Sequence, residues 1–449
     1  VGRYPENLFY DPEQENGQPA LIGTPGLTLF GTTKIAQVRN GRVFGGYLYV
    51  VVGDTCFQVN TAGTATALAT TLDTSTGHVF MKDNGTQLMI TDGTSGYIVT
   101  GTTLTKITDE DFPTPSSLAY QDGYFIVTEA DSGRIYISGS YDGTTWDALD
   151  YTTAEGHPDD ALVVISDHRE LWIFGEETAE IYYNSGDADF PFERIQGAYI
   201  EAGIGAVASV IKADNTLWWL TNHAQFVRAD GYNPKTVSTN RINREIAGYG
   251  TWSDAVGYSY TQEGHTFCVL SFPSANKTWV YDVATRLWHR RTSYQAGLSA
   301  MGRHRSNCYA LFDNKHIVGD YTNGNLYYSN TSAYTDNGEV IRAVHTAPAI
   351  EQDRKNIFHD RMEIEFKAGV GLSSGQGSDP QAMLQFSDDD GRTWSNELWR
   401  SIGKIGKYEN LAVWERMGKS KNRAYRLIIT DPIERVIYGG FLEARLGRV

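Results

Sequence analysis

Apolar and β-branched residues along this chain come in short runs separated by Gly-, Asp- and Asn-rich turns. Strand-length runs recur at 47–50, 87–90, 124–127, 171–174, 217–220, 266–269 and 308–311. Most are followed by a polar turn and an aromatic strand, at 96–99, 134–137, 180–183, 224–227, 278–281 and 325–328. Asp92-Gly93, Asp122-Gly123, Asp142-Gly143, Asp230-Gly231, Asn323-Gly324 and Asn337-Gly338 supply residues that tolerate the positive φ of hairpin turns. No stretch of similar length carries a helical period. The longest apolar runs, such as 47–52, have strand length, well short of a membrane span of roughly 18 residues or more.

The repeat returns every 37 to 50 residues or so, the period of propeller blades. A single short sheet cannot bury both faces; sheets stacked around an axis bury each face against a neighbour and leave only short edges. Seven repeats lie between Val43 and Asn330, the first of them irregular. The expectation is an all-β chain: a six- or seven-bladed β-propeller over 31–338, with a pair of β-sandwiches as the rival architecture. Residues 1–30, with Pro5, Pro12, Pro19 and Pro25, read as an extended N-terminal arm that lies on something. Residues 339–449 break the period. Strand candidates at 361–366, 382–386, 411–414 and 425–429 make them a separate antiparallel, sandwich-like β module, with a Gly/Ser-rich loop at 369–380 expected to be mobile.

Composition agrees with a folded β protein: 449 residues, 41% hydrophobic, with 27 Tyr, 18 Phe and 10 Trp. The net charge is −16, which opposes binding of phosphate backbones over the whole surface. The charge is uneven. Residues 109–160 hold twelve acidic side chains against Arg134 alone. Residues 399–426 hold eight basic ones against Glu409 and Glu415: Arg400, Lys404, Lys407, Arg416, Lys419, Lys421, Arg423 and Arg426. These eight are the candidate docking surface, set against the plain alternative of two solvated faces. Cys56, Cys268 and Cys308 are odd in number and widely spaced, so they are no disulfide framework. With no apolar signal region in the opening Val1-Gly2-Arg3-Tyr4-Pro5, the expectation is synthesis in a reducing cytoplasm.

Ser387-Asp388-Asp389-Asp390-Gly391-Arg392-Thr393-Trp394 fits the Asp-box pattern S-x-D-x-G-x-T-W. Asp389 can bond backbone amides across a hairpin, Gly391 permits the turn, and Trp394 is expected beneath it, with Ser387 and Thr393 completing the box. Ser140-Tyr141-Asp142-Gly143-Thr144-Thr145-Trp146 is a shortened relative. The box resembles that of sialidases and other glycan-handling propellers, but it is a folding device, and a glycosidase needs a placed pair of catalytic groups as well. Gly371-Leu372-Ser373-Ser374-Gly375 matches G-x-S-x-G without the strand before and helix after that a nucleophile elbow requires. The histidines and cysteines lack zinc spacing, the run Asp388 to Asp390 lacks a full calcium loop, and there is no phosphate-binding glycine loop. We assign no catalytic, cofactor-binding or metal-binding residue.

In order and spacing, three sets of segments resemble the tail hub, or nozzle, proteins of short-tailed bacteriophages, also called packaged-DNA stabilisation proteins or tail accessory factors. They are the leader Glu6-Asn7-Leu8-Phe9-Tyr10 with Gly23-Thr24-Pro25-Gly26-Leu27; then 167–175, Glu180-Ile181-Tyr182-Tyr183 and Gly203-Ile204-Gly205; then 387–391, 414–418 and 426–432. The resemblance implies a homo-hexameric ring in the virion tail, below the portal and its adaptor protein. That ring extends the DNA channel, helps retain the genome, seats tail fibres or tailspikes, and has no catalytic residues, cofactors or membrane insertion. An acidic lumen lined by 109–160 would keep passing double-stranded DNA from sticking. Two other functions compete: a sialidase-like glycoside hydrolase or glycan-binding propeller, and a receptor-binding tail fibre component.

Overall fold

The computed structural model describes residues 4–13, 17–154, 159–187 and 190–447. Parts of the expected arm (1–3 and 14–16) and Glu155 of the acidic stretch lie outside them. Strand accounts for 55% of the chain and helix for 3%.

Six consecutive four-stranded antiparallel sheets span 38–71, 80–106, 115–153, 163–200, 211–236 and 256–290, here blades 1 to 6. Blade 7 is assembled differently. Its first three strands are Ser306–Phe312, Lys315–Asp320 and Asn325–Asn330, and its fourth comes from the arm, β3 (Gly26–Thr32). Leu27 pairs with Ser329 and Gly26 with Asn330 in an antiparallel ladder. Residues 308–311, expected as a second strand, are thus part of the innermost strand of blade 7. The innermost strand of blade 1, Val38–Phe44, lies between those of blades 2 and 7, which closes the circle.

The four-residue run 217–220 shows why the blades stack. Leu217, Trp218, Trp219 and Leu220 are all buried, because successive side chains point to opposite faces and both faces are covered. Trp219 joins Trp172 and Phe174 in the core shared with blade 4, its ring 5.1 Å from that of Phe174. Trp218 joins Trp279 and Trp288 in the core shared with blade 6, together with Ile242 and Ile246 of the short helix α1 (Asn240–Ala247). Thr239 caps that helix, its hydroxyl accepting the Ile242 N–H. Hairpin chemistry serves the same end: Asp122 and Gly123 both have positive φ, as a tight two-residue turn demands. At 140–146 the turn falls one step earlier, with Tyr141 at positive φ, while Asp142 begins the next strand.

The C-terminal module is a sandwich of two sheets. One contains Ala343–Thr346, Asn422–Ile429, Gln381–Ser387 and Leu398–Ser401; the other contains Ala412–Glu415, Ile357–Phe366 and Val436–Leu446. The second sheet is extended by two strands of the arm, β1 (Leu8–Asp11) and β2 (Ala20–Gly23). Leu8 enters the sandwich core with Phe366, Leu384, Trp414 and Tyr425. Pro12, Pro19 and Pro25 stand just outside these strands, where a missing N–H costs no ladder bond. The arm therefore serves both domains, two strands in the sandwich and one in the propeller. The loop at 369–380 is folded into turns, with Leu372 N–H donating to the Gly377 carbonyl.

The domains meet at the seam between blades 6 and 7. Asn7, buried and at positive φ, is the hub there. Its side-chain amide donates to the carbonyls of Thr292 (3.1 Å) and Arg342 (3.0 Å), and its side-chain oxygen accepts the Thr292 N–H (2.9 Å). Its main-chain N–H donates to Arg290 of blade 6, and its carbonyl accepts the Thr24 N–H. Phe9 packs edge-on against Phe267 and His265. Phe9 also packs with Tyr260, Val269 and Val280, and Arg291, His289, His304 and Asp336 are buried polar groups of the propeller.

Asn7→Ala removes these side-chain bonds at once and strands the Arg342 carbonyl. It should destabilise the protein by about 3 kcal/mol, read from urea midpoints. A second expectation concerns acid. Burial pushes the imidazole of His304 down to about 3 and that of His78 to about 4, and holds His289 well below its usual value. A group neutral in the fold and easier to protonate when unfolded loses its contribution as pH falls from about 6.5 towards the folded value. His265 is raised by its bond to Asp282 and acts in the opposite sense, as does Asp336, raised by burial to about 6. His316, His345 and His359 are also lowered by burial, so the falling groups outnumber the others. Urea midpoints should drop between pH 7 and 4.5, and His304→Asn should flatten the drop by up to about 1.4 kcal/mol per pH unit.

Candidate docking surfaces

The eight basic residues of 399–426 do not form one surface. Arg423 is 2% exposed. Its guanidinium bonds both oxygens of Asp388 (2.6 and 2.7 Å) and the Met417 carbonyl, and lies 4.0 Å from the centre of the Phe386 ring. Arg426 bonds Gln385 and covers the Trp394 ring at 4.0 Å. Both are internal braces of the sandwich. Arg416, Lys419 and Lys421 are exposed around the turns that enter and leave the short strand Lys419–Ser420.

Arg400 lies on the edge strand of the first sheet, and Lys404 and Lys407 lie on the loop that follows it. Strand Leu398–Ser401 is that edge, and the loop 402–411 folds back on it. Asn410 Nδ2 donates to the Ser401 carbonyl (2.7 Å), and Lys407 N–H closes a turn onto Lys404. Arg400 bridges to the neighbouring sheet, donating to the Val413 carbonyl (2.7 Å), so its charge is met by no carboxylate there. Lys404 lies 3.5 Å from Asp379. Large apolar side chains are exposed along the same strand and loop: Trp399, Ile405, Tyr408 and Leu411 are 51%, 61%, 76% and 49% exposed. Tyr408 is seated over Gly369, where a Cβ would come within 2.6 Å of the ring. Exposed aromatic side chains are enriched at protein interfaces. Charge counting missed the apolar half of this edge. The sequence signal was the run Ile402-Gly403-Lys404-Ile405-Gly406-Lys407-Tyr408, whose glycines break any strand that could bury the isoleucine and tyrosine.

The Asp-box is intact and structural. Asp389 accepts the Thr393 N–H (2.9 Å) and hydroxyl (2.6 Å), and the Ser387 hydroxyl accepts the Gly391 N–H (2.8 Å). Those bonds hold the Asp389 carboxyl well below the usual range. Asp388 is engaged by Arg423 and Asp390 by Asn422, so the whole carboxylate run is committed to the protein. The box sits in the sandwich rather than on a blade, and Trp394 is half-buried, with Arg426 over its ring. The shortened relative in blade 3 buries its tryptophan better: Trp146 is 7% exposed and donates to the Gly143 carbonyl. Ser373 of the G-x-S-x-G match lies among turns. Among the described residues no group of three or more His, Cys, Asp or Glu is placed to hold a metal ion. The three cysteines are buried in blades 1, 6 and 7, with burial pushing the Cys56 and Cys308 thiols up to about 12.

The acidic stretch is likewise not one face. Asp109 accepts the Trp146 N–H, Asp142 caps Thr144, and Asp159 caps Glu177 and Thr178. Asp122 and Asp131 sit on hairpins at opposite ends of blade 3. Charge segregates on a larger scale instead. Residues 339–449 carry 17 Lys/Arg against 16 Asp/Glu, so residues 1–338 carry the entire excess of acid.

The propeller axis holds a cavity of about 210 Å³ lined from six blades and the segment that leads into blade 5, including Asn40, Lys82, Leu118, Val164, Val210, Tyr258 and Asn307. At about 30 Å³ per water, that is room for roughly seven waters. Burial brings the Lys82 ammonium down to about 8, with the charges of Arg42 and Lys212 adding to the shift.

If Arg423 is a brace and not a docking residue, Arg423→Ala should cost about 2–3 kcal/mol in urea unfolding. Lys421→Ala, two residues away and exposed, should stay within about 0.5 kcal/mol of wild type.

Two family models cover nearly the whole chain. One, described as bacteriophage P22 Gp10, beta-propeller, matches residues 1–334; the other, bacteriophage P22 Gp10, beta-sandwich, matches residues 342–445. No curated protein matches. Solved structures with a similar fold include virginiamycin B lyase from Staphylococcus aureus, at 11% identity over 67% of this chain and 98% of that one (TM-score 0.46). The WD40 propeller of Doa1 aligns at 13% identity over 68% and 97% (TM-score 0.43), and that of Neurospora crassa Pan2 at 8% over 68% and 96% (TM-score 0.43). At such scores they bear on neither activity nor partner.

Proposed function

The chain belongs to the bacteriophage P22 Gp10 family, structural proteins of the short-tailed phage virion, and from that premise we propose that it is a tail hub, or nozzle, subunit. In this reading six copies form a ring below the portal and its adaptor. The ring extends the DNA channel, helps to hold the packaged genome and seats fibres or spikes. The observation that carries the reading is the narrow propeller axis. A cavity of about 210 Å³ cannot pass a duplex, so DNA has to travel between copies, and a channel requires a ring of them. Blades buried on both faces make each copy rigid enough for such a ring. The surplus of carboxylates in residues 1–338 suits a wall past which DNA slides without adhering. Seating of fibres and contact with the adaptor fall to surfaces the ring leaves uncovered.

Particles assembled without this protein should package DNA but lose it to added nuclease, and purified protein should restore both protection and infectivity. The isolated protein should bind duplex DNA too weakly to measure at about 150 mM salt. Stable, infectious particles lacking the chain would overturn the proposal, as would tight retention of duplex at that salt. A fluorogenic sialoside left uncleaved is expected; its turnover would favour the hydrolase reading.

A further inference from the structure

We propose that the edge patch of the sandwich in one copy docks onto the outer rim of blade 3 in the next copy, a heterologous contact that propagates the ring. The inference rests on the ring reading and adds to it the two surfaces that meet.

The rim has an unusual knob. The outermost strand of blade 3, Asp142–Thr153, leaves its ladder midway. Trp146 pairs with Ser138 and Tyr151 with Tyr136, so residues 147–150 stand opposite Ile137 alone and bulge outwards. Asp147 closes the bulge by accepting the Leu149 N–H (2.9 Å). Leu149 is left 81% exposed at its crest. The loop beside it is acidic: Asp109 is bonded to the Trp146 N–H, and Phe112 packs on the Trp146 ring at 5.0 Å, which brings Glu110 and Asp111 alongside. Both are exposed, and neither has an ion-pair partner among the described residues. The rim is thus an apolar knob flanked by uncompensated carboxylates.

The sandwich patch is its complement. Trp399, Ile405, Tyr408 and Leu411 give exposed apolar surface along the edge strand and its loop, and Lys404 and Lys407 of the same loop add positive charge. An unpaired edge strand such as Asp142–Thr153 normally needs protection from association; here its ladder is interrupted, which blocks strand addition and leaves side-chain docking. The two surfaces differ, so each copy offers one of each. Head-to-tail contacts of that kind close into rings when the rotation allows. Opposite charges fix the register, and the exposed aromatics supply the anchor.

The test is a charge swap on the full chain, read by native mass spectrometry and sedimentation. K404E/K407E and E110K/D111K alter only exposed residues, so each variant should keep the wild-type melting temperature. Each alone should need at least tenfold more protein than wild type to assemble. An equimolar mixture should recover assembly in even-numbered rings with the two variants alternating, because the reversed patch of one then meets the reversed rim of the other. L149A should weaken assembly without altering its salt dependence. If both charge variants assemble as wild type, or the mixture stays as separate subunits, this contact is wrong although the ring stands. If wild type itself forms no ring at any concentration, the ring reading falls and this inference with it.

Discussion

Everything in this architecture depends on one ladder, in which β3 from the start of the chain pairs with Asn325–Asn330 from the end of the propeller. A propeller has no internal reason to stop being an open horseshoe: each blade satisfies its neighbour, and the last would leave a bare edge and an uncovered face. Filling the fourth position of blade 7 with an N-terminal strand ties the two ends of the ring through main-chain hydrogen bonds. The same segment then sets the second domain. Because β1 and β2 belong to the sandwich and β3 to blade 7, Asn7 and the turn around Thr24 fix the distance between the two bodies. Seam, strap and sandwich are consequences of one closure.

Most of the blades were legible because their signal is local. A run such as Leu217-Trp218-Trp219-Leu220 is apolar on both faces, and no half-exposed strand could be. What escaped was long-range or hidden by glycine. Nothing within 26–32 states that it pairs with a strand some three hundred residues on, so 26–30 read as arm. Strand Val436–Leu446 was passed over because Gly439-Gly440 interrupts its pattern, although it pairs along most of its length with Ile357–Phe366. Arg423 and Arg426 counted as surface charge because counting cannot see that Asn422–Ile429 is a central strand of its sheet. The acidic stretch misled in the same way: short carboxylates are favoured where turns leave amides unpaired, so several of those aspartates are caps first and charges second.

The division of charge between the domains gives the molecule a polarity its net charge conceals. Residues 1–338 hold the whole acidic surplus, and the sandwich is balanced, with Lys404 and Lys407 exposed on one edge loop. In the proposed ring, self-repulsion would keep acidic propellers from packing at random, while the edge loop of the sandwich would select where contact is allowed. Shape and charge thus act on different questions: buried blades make the body stiff, and surface charge decides its neighbours.

The closure also has a consequence during synthesis. Thr28 and its partner Asn330 are separated by 302 residues. At about 5–20 residues per second, a ribosome needs roughly 15–60 seconds to deliver the second after the first. Throughout that interval the leading strand has no mate, and the growing horseshoe displays a naked flank to every other nascent chain. The same strand offered to a sister molecule would produce an exchanged pair instead of a closed wheel. Locally favourable hairpins, formed blade by blade, shorten the list of such errors but cannot remove the wait.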